Sequence, residues 1–281
     1  MKFTVEQFRR WENKRVTLLG MSGVGKTHIS AMLRHHGWYH YSGDYRIGTR
    51  YLDESILDLI KEQAMQVPFI SDLLRNDWIY IRNNIKVSDL GPVLSFVGKL
   101  GDPERGGVPL ADFQRRQAQY RDAEIAAMHD VPAFIEKGRK IYGYPHFVND
   151  VGGSLCELDE PGVIDLLVEH TLMLYIKVTD AEEEQKLIAR AQSDPKPLYY
   201  RPEFLLQQLA IYLEENGLRY AAEMEPDEFT RWVFPRLFHS RVPRYEHIAK
   251  LGYTVTSREV AAVRDEQDFL ALLETAIDRS Q

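Results

Sequence analysis

Gly20-Met21-Ser22-Gly23-Val24-Gly25-Lys26-Thr27 decides the fold of this chain. The stretch fits G-x-x-x-x-G-K-[ST] and sits in the context that gives the pattern its meaning. Val16-Thr17-Leu18-Leu19 before it reads as a buried strand, and Lys26 to about His36 after it reads as a helix stopped by Gly37. Glycines let the backbone wrap a phosphate, so that successive N–H groups and the helix N-terminus face the anion. Lys26 is placed to reach the β- and γ-phosphate oxygens and Thr27 to ligate Mg²⁺. The expected phosphate-binding set is Gly20, Ser22, Gly23, Val24, Gly25, Lys26, Thr27 and His28, for a nucleoside triphosphate with Mg²⁺.

Working outward, Trp38 to Tyr41 is a second strand running into Ser42-Gly43-Asp44. His146 to Asn149, Leu172 to Val178 and Tyr253 to Val255 complete the strands, and the first two of these are near-continuous apolar runs flanked by helical segments. The pattern predicts an α/β chain with the three-layer P-loop NTPase fold, a parallel sheet of about five strands and helical insertions. From about Leu52 to Gly101 the periodicity is helical, over ESILDLIKEQAM, SDLLRNDWIYIRNN and SDLGPVLSFVGKL. A loop, DPERGGVP, precedes a long polar helix from Leu110 to about Lys137 with a break at Pro132. After the fourth strand come a charged helix (DAEEEQKLIARAQ), a Pro-rich turn from Asp194 to Pro197, helix to about Glu215, and a closing helix from Glu266 to Ile277. The expected division is a core of residues 1–51, 113–198 and 240–281, a helical insertion at 52–112 and a lid-region helical insertion at 199–239. Trp78, Tyr80, Tyr199, Tyr200, Phe204, Trp232 and Phe234 recur near helical spacing and are expected to pack in the interior.

Composition excludes several classes. With 35 Lys and Arg against 42 Asp and Glu, the net charge of −7 gives no broad field for nucleic acid or an anionic membrane. Cys156 is the single cysteine, so neither an intramolecular disulfide nor a cysteine metal cluster is available, which suits a reducing compartment. The start, MKFTVEQFRRWENK, is charged throughout, and no apolar run approaches the ~20 residues that span a bilayer. A cytoplasmic protein is expected. The nine histidines show no H-E-x-x-H spacing, and His35-His36 reads as a helix end.

Asp44 follows the second strand at the carboxyl edge of the sheet, where ligands of open parallel sheets bind. Around it the motifs resemble shikimate kinase. Ser42-Gly43-Asp44-Tyr45-Arg46-Ile47 is similar to that family's D-x-D-x-x-I, and Tyr120-Arg121-Asp122-Ala123-Glu124 to its F-R-x-x-E. Asp150-Val151-Gly152-Gly153-Ser154 resembles its triple-glycine turn, and Lys196-Pro197-Leu198 its R-P-L lid, with Arg190 six positions earlier. Arg241-Val242-Pro243-Arg244-Tyr245-Glu246-His247-Ile248-Ala249 is similar to R-x-P-L-Y-x-x-V-A, and the order along the chain is kept.

The resemblance covers about two-thirds of the chain and implies a kinase that moves the γ-phosphate of ATP to a hydroxyl of a small polar metabolite, with a carboxylated polyol as the family's acceptor. ATP is implied over GTP by that likeness, since no N-K-x-D guanine motif is present. Carried over by position, Asp44, Arg121, Gly152, Gly153 and Arg241 would hold the acceptor. Lys26, Asp44, Arg190 and Lys196 would serve catalysis. Three departures stand out: Ser42 in place of an aspartate, Ser154 in place of a glycine and Lys196 in place of an arginine. The first passes the Mg²⁺ duty to Asp150, alongside Thr27. The competing readings are a regulatory ATPase switch whose helical insertions bind a protein partner, and a transferase on transfer RNA, which the acidic balance disfavours.

Overall fold

The computed structural model describes residues 2–281. Five strands form one sheet: β1 (Arg15–Leu19), β2 (Trp38–Ser42), β3 (His146–Asp150), β4 (Leu172–Lys177) and β5 (Tyr253–Thr256). Their order is β2-β3-β1-β4-β5 and every pairing is parallel. This is the α/β P-loop NTPase-like layout expected from the sequence. Strand interiors explain why: Val16, Leu18, Leu19, Val148 and Leu172 through Leu174 are wholly enclosed, as strands covered by helices on both faces must be. Burying each such side chain contributes about 1.5–3 kcal/mol.

Register puts the chemistry in one row. Leu18 stands opposite Asp150, and Ser42 opposite Asp150 on the other side. The residues just beyond, Gly20, Asp44 and Gly152, therefore leave the same edge of the sheet together. β1 is central, so the phosphate loop emerges at the middle of that edge, where the connections part to left and right.

Among the described residues, fourteen α-helices accompany the sheet. Before the first insertion lie α1 (Val5–Arg10), α2 (Lys26–Arg34) and the single turn α3 (Gly43–Arg46), which widens into a π turn over Ile47–Tyr51. Then follow α4 (Asp53–Ala64), α5 (Pro68–Arg75), α6 (Gly91–Val97), α7 (Leu110–His129) and α8 (Val131–Lys140). The break expected at Pro132 falls two residues earlier, at Asp130, because proline is accommodated in the first turn of α8. The remainder are α9 (Pro161–His170), α10 (Ala181–Ser193), α11 (Pro202–Glu215), α12 (Pro226–Ala249), α13 (Ser257–Ala261) and α14 (Glu266–Asp278).

One expected helix stops short. SDLLRNDWIYIRNN is helical only to Arg75; Asn76 caps the end with its amide on the Asp72 carbonyl at 2.8 Å, and Asp77 turns to φ 55°. Asn and Asp tolerate the left-handed region, so the pair ends the helix. Trp78 and Tyr80 are consequently 72% and 79% exposed, which corrects their assignment to the interior. Tyr199, Tyr200 and Phe204 are buried as expected, while Trp232 and Phe234 pack at the margin. A second apolar cluster joins the two long helical stretches, with Leu100, Val108 and Phe113 against Tyr200, Leu209, Phe229 and Leu237. Helix α12 runs unbroken through Pro235 and Pro243 and across residue 239. Cys156 is buried, and among the described residues no helix is long and apolar enough to cross a membrane.

Candidate active site

The phosphate loop closes on itself through its lysine. Lys26, 6% exposed, donates its ammonium to the carbonyls of Gly20 at 2.7 Å and Met21 at 2.9 Å. Burial pulls its pKa down, opposed by the nearby Asp150 and Asp44 carboxylates. Gly20, Gly23 and Gly25 take φ of 142°, 92° and 103°, so the loop is a run of left-handed and extended turns open only to glycine. A side chain at Gly20 would place its Cβ 2.6 Å from the Ile176 carbonyl oxygen. Helix α2 begins with no side-chain cap and no acidic residue in its first turn, which leaves its N-terminal amides and dipole for an anion. These features fit the phosphates of a nucleotide.

A cleft of about 270 Å³ opens in front of the loop, lined by Ser22, Gly23, Gly25, Lys26, Thr27, His28, Asp44, Asp150, Val151, Gly152 and Gly153. It gathers nine of the predicted site residues, Ser22, Gly23, Gly25, Lys26, Thr27, His28, Asp44, Gly152 and Gly153, together with the predicted metal ligand Asp150. Thr27 and Asp150 share this wall, a hydroxyl and a carboxylate that suit Mg²⁺, which commonly takes one or two protein ligands beside substrate phosphates. Among the described residues no group of three His, Cys, Asp or Glu side chains forms a metal cage by itself.

Asp44 lines the same cleft as Lys26, near enough for their charges to interact. Ser42 caps its turn, accepting from the Tyr45 amide at 3.3 Å, and so fixes where Asp44 points. The Tyr120 hydroxyl donates to Asp44 Oδ1 at 3.2 Å. Burial, and then the Asp150 charge, push the Asp44 carboxyl up to about 6, against the pull of Lys26 and Tyr120. Behind the Gly152-Gly153 turn lies a further acid. Glu124 is fully enclosed, its Oε2 accepts from the Ser154 hydroxyl at 2.6 Å, and its Oε1 has no hydrogen-bond partner. Burial, reinforced by Asp44, raises it to about 8. A Cβ at Gly152 would lie 3.0 Å from both Asp44 Oδ1 and Glu124 Oε1, so glycine here lets the two carboxyls converge.

The remaining predicted residues stand elsewhere. Arg190, on α10, lies over the phosphate loop: a Cβ on Gly23 would sit 2.6 Å from its Nη2. Lys196 is exposed, 3.5 Å from Asp194. Arg121 turns away from the cleft and donates Nε to the Leu158 carbonyl at 3.0 Å. Arg241 is buried, donating to the Tyr199 carbonyl at 2.8 Å, with Glu157 at 3.5 Å. Gly20 and Val24 shape the loop from behind, Val24 within the core.

Three residues that the motifs contain were given no site role by the sequence: Tyr120, Glu124 and Ser154. The signal was present in the spacing. Phe113, Gln117, Tyr120, Glu124 and Ala127 recur every three or four positions and form the buried stripe of α7, while Arg121 lies about 100° round the helix. A larger cavity, about 590 Å³, lies between Leu155, Val163, Ile164, Arg244 and Ile248, and no phosphate-loop residue lines it.

No protein-family model matches this chain, and no curated protein does. Among solved structures it is similar to a shikimate kinase from Bacteroides thetaiotaomicron, at 15% identity and a TM-score of 0.37 over 95% of this chain and 96% of that one, a likeness too slight to carry function.

Proposed function

We propose that this chain is an ATP-dependent kinase of a small hydroxylated metabolite. The observation that carries the reading is the shared cleft of 270 Å³: a phosphate loop with a buried lysine and the Asp44 carboxylate both line it. The acceptor hydroxyl sits against Asp44 Oδ2, since Oδ1 is engaged by Tyr120. Its oxygen forms the new bond to the γ-phosphorus, the bond from that phosphorus to the β,γ-bridging oxygen breaks, and the electron pair leaves with ADP. The hydroxyl proton passes to Asp44, whose pKa near 6 suits it to receive a proton at neutral pH. Lys26 and the loop amides hold the β- and γ-phosphates, and Arg190 stands beside Gly23 to neutralise developing charge. Thr27 and Asp150 would hold Mg²⁺, which when bound would supply charge neutralisation for the phosphates. Lys196, from its exposed position, enters when the α10–α11 connection folds inward.

The test is ATP turnover with and without a panel of hydroxylated metabolites, carboxylated, neutral and amine-bearing. A kinase loses ATP slowly until its acceptor is added; Lys26→Ala should then lower transfer by about 10²–10³-fold. Transfer at the parent rate in that variant would overturn the assignment. A regulatory ATPase is the second reading, and one observation favours it: Phe69, Trp78 and Tyr80 are each exposed in the first helical stretch, where large apolar side chains suit a protein partner. It predicts ATP hydrolysis with no acceptor present.

A further inference from the structure

We infer that the acceptor of this cleft carries no carboxylate, and that among hydroxylated acceptors those bearing an ammonium group bind best. The inference rests on the kinase reading and concerns what the acceptor wall can pair with. Four arginines of the neighbouring elements each have a partner within the chain, while Arg241 Nε and Arg201 Nε make no hydrogen bond. Arg121 donates to the Leu158 carbonyl and lies 3.5 Å from Asp122. Arg241 lies 3.5 Å from Glu157 and donates to Tyr199. Arg201 lies 3.7 Å from Glu157 and 3.8 Å from Asp159, and Arg244 donates to Asp159 at 2.6 Å. Glu157 is fully enclosed, so turning Arg241 toward a substrate would leave a buried carboxylate without its counter-charge.

Strap contacts hold this arrangement closed. Gln117 donates to the Leu198 carbonyl at 3.1 Å and accepts from the Tyr200 amide at 2.8 Å. Tyr199 is stacked on Tyr120 at 5.9 Å, and its carbonyl accepts from Arg241. A carboxylate in the cleft would meet Asp44 and Asp150 with only Lys26 as a cation on the lining, and Lys26 belongs to the phosphates. An ammonium group meets the opposite field. Asp44 Oδ1 and Glu124 Oε1 both lie 3.0 Å from the place of a Gly152 Cβ, no more than about 6 Å from each other. A cation beside Asp44 offsets the Asp150 charge, which after burial is what raises the Asp44 carboxyl, and protonated Glu124 offers Oε1 as an acceptor. A wall built this way selects by charge as well as by shape.

The experiment measures ADP release by the full chain with ATP and two matched trios: glucose, glucosamine and glucuronate, then inositol, an amino-inositol and quinate. Within each trio the amine should exceed the acid in kcat/KM by about tenfold or more, with the neutral member between. A carboxylated member that is the best of its trio overturns the inference while leaving the kinase reading intact. ADP release that no member stimulates removes the kinase reading, and this inference with it. A second arm measures binding in the presence of a non-hydrolysable ATP analogue. Asp44→Asn should bring the amine and neutral members to equal affinity, and an undiminished amine preference there overturns the inference.

Discussion

Asp44→Asn should make the protein more stable and nearly inactive at once. Moving the Asp44 carboxyl from its ordinary 3.8 to about 6 corresponds to about 3 kcal/mol at 1.36 kcal/mol per pH unit. The sign follows from proton counts. Between pH 3.8 and about 6 the folded chain keeps a proton that the unfolded chain has released, so stability falls as pH rises through that window, and the whole cost stands above it. Asparagine keeps the shape and removes the charge, at a loss of about 1 kcal/mol for weakening the bond from Tyr120. The net gain at pH 7.5 is about 2 kcal/mol, or about 4–8 °C in melting temperature for a chain of this size. At pH 4 the gain should vanish, because the parent carboxyl is then protonated in the folded state. Scanning calorimetry of both proteins without nucleotide at pH 4 and 7.5 reads this directly. Parent turnover should rise through pH 6 as Asp44 ionises, while the variant shows no such rise and stays about 10²–10⁴-fold below the parent above pH 7. An Asp44→Asn protein that melts at or below the parent at pH 7.5, or gains equally at both pH values, would show that Asp44 is not a strained carboxylate.

Glu124→Gln should fold and turn over close to the parent at pH 7, since Glu124 holds its proton up to about 8 and the amide can still accept from Ser154. Its signature is the pH dependence of stability: the parent loses stability as pH rises from 4.5 to about 8 and the variant does not, so equal slopes in urea titrations across that window would refute the assignment. Gly20→Ala sets a Cβ 2.6 Å from the Ile176 carbonyl at φ 142° and forces the loop to shift. The strain is of order 1–3 kcal/mol, so ATP affinity measured by calorimetry should fall more than about tenfold with the circular dichroism spectrum unchanged; parent-like binding would mean the loop tolerates the displacement.

What the sequence made legible follows the backbone. Gly20, Gly23 and Gly25 are required by main-chain dihedrals, and strand runs such as Leu172–Lys177 by burial on both faces, so both can be read from one chain. Asp44 and Asp150 were also found, because the carboxyl edge of a parallel sheet is a topological address. Arg121 and Arg241 were placed at the acceptor by resemblance, and the structure turns them aside for a reason no short motif states. The α7 stripe that faces inward is 113, 117, 120, 124 and 127, and a side chain at 121 leaves the helix about 100° from its neighbour. Arg241 meets Glu157, more than eighty positions earlier, and such a pairing is invisible to local pattern. Trp78 and Tyr80 fail differently: Asn76-Asp77 is a helix stop whose strength the apolar residues after it obscured.

The same long-range packing constrains how the cleft can close. A lid made only of residues 199–239 would have to part from Leu100, Val108 and Phe113, with which Tyr200, Phe229 and Val233 share one apolar cluster. It would also break the Asp102 amide bond to the Met224 carbonyl at 2.8 Å and the Lys99 bridge to Asp227. Exposing several such side chains costs about 1.5–3 kcal/mol each, more than a domain closure can be asked to supply. The parts free to move are smaller. α10 carries no buried residue, and the connection that follows it holds Lys196 in solvent before Gln117 pins Leu198 and Tyr200. On the proposed kinase reading, closure falls to residues 194–197, which carry Lys196, because α10 is tied to α12 by the paired Gln192–Arg231 hydrogen bonds and already holds Arg190 beside Gly23, while Asp44, Gly152 and Glu124 stay against α7. Charge on the nucleotide side is adjustable and charge on the acceptor side is built in, which is why acceptor choice should follow the wall rather than the lid.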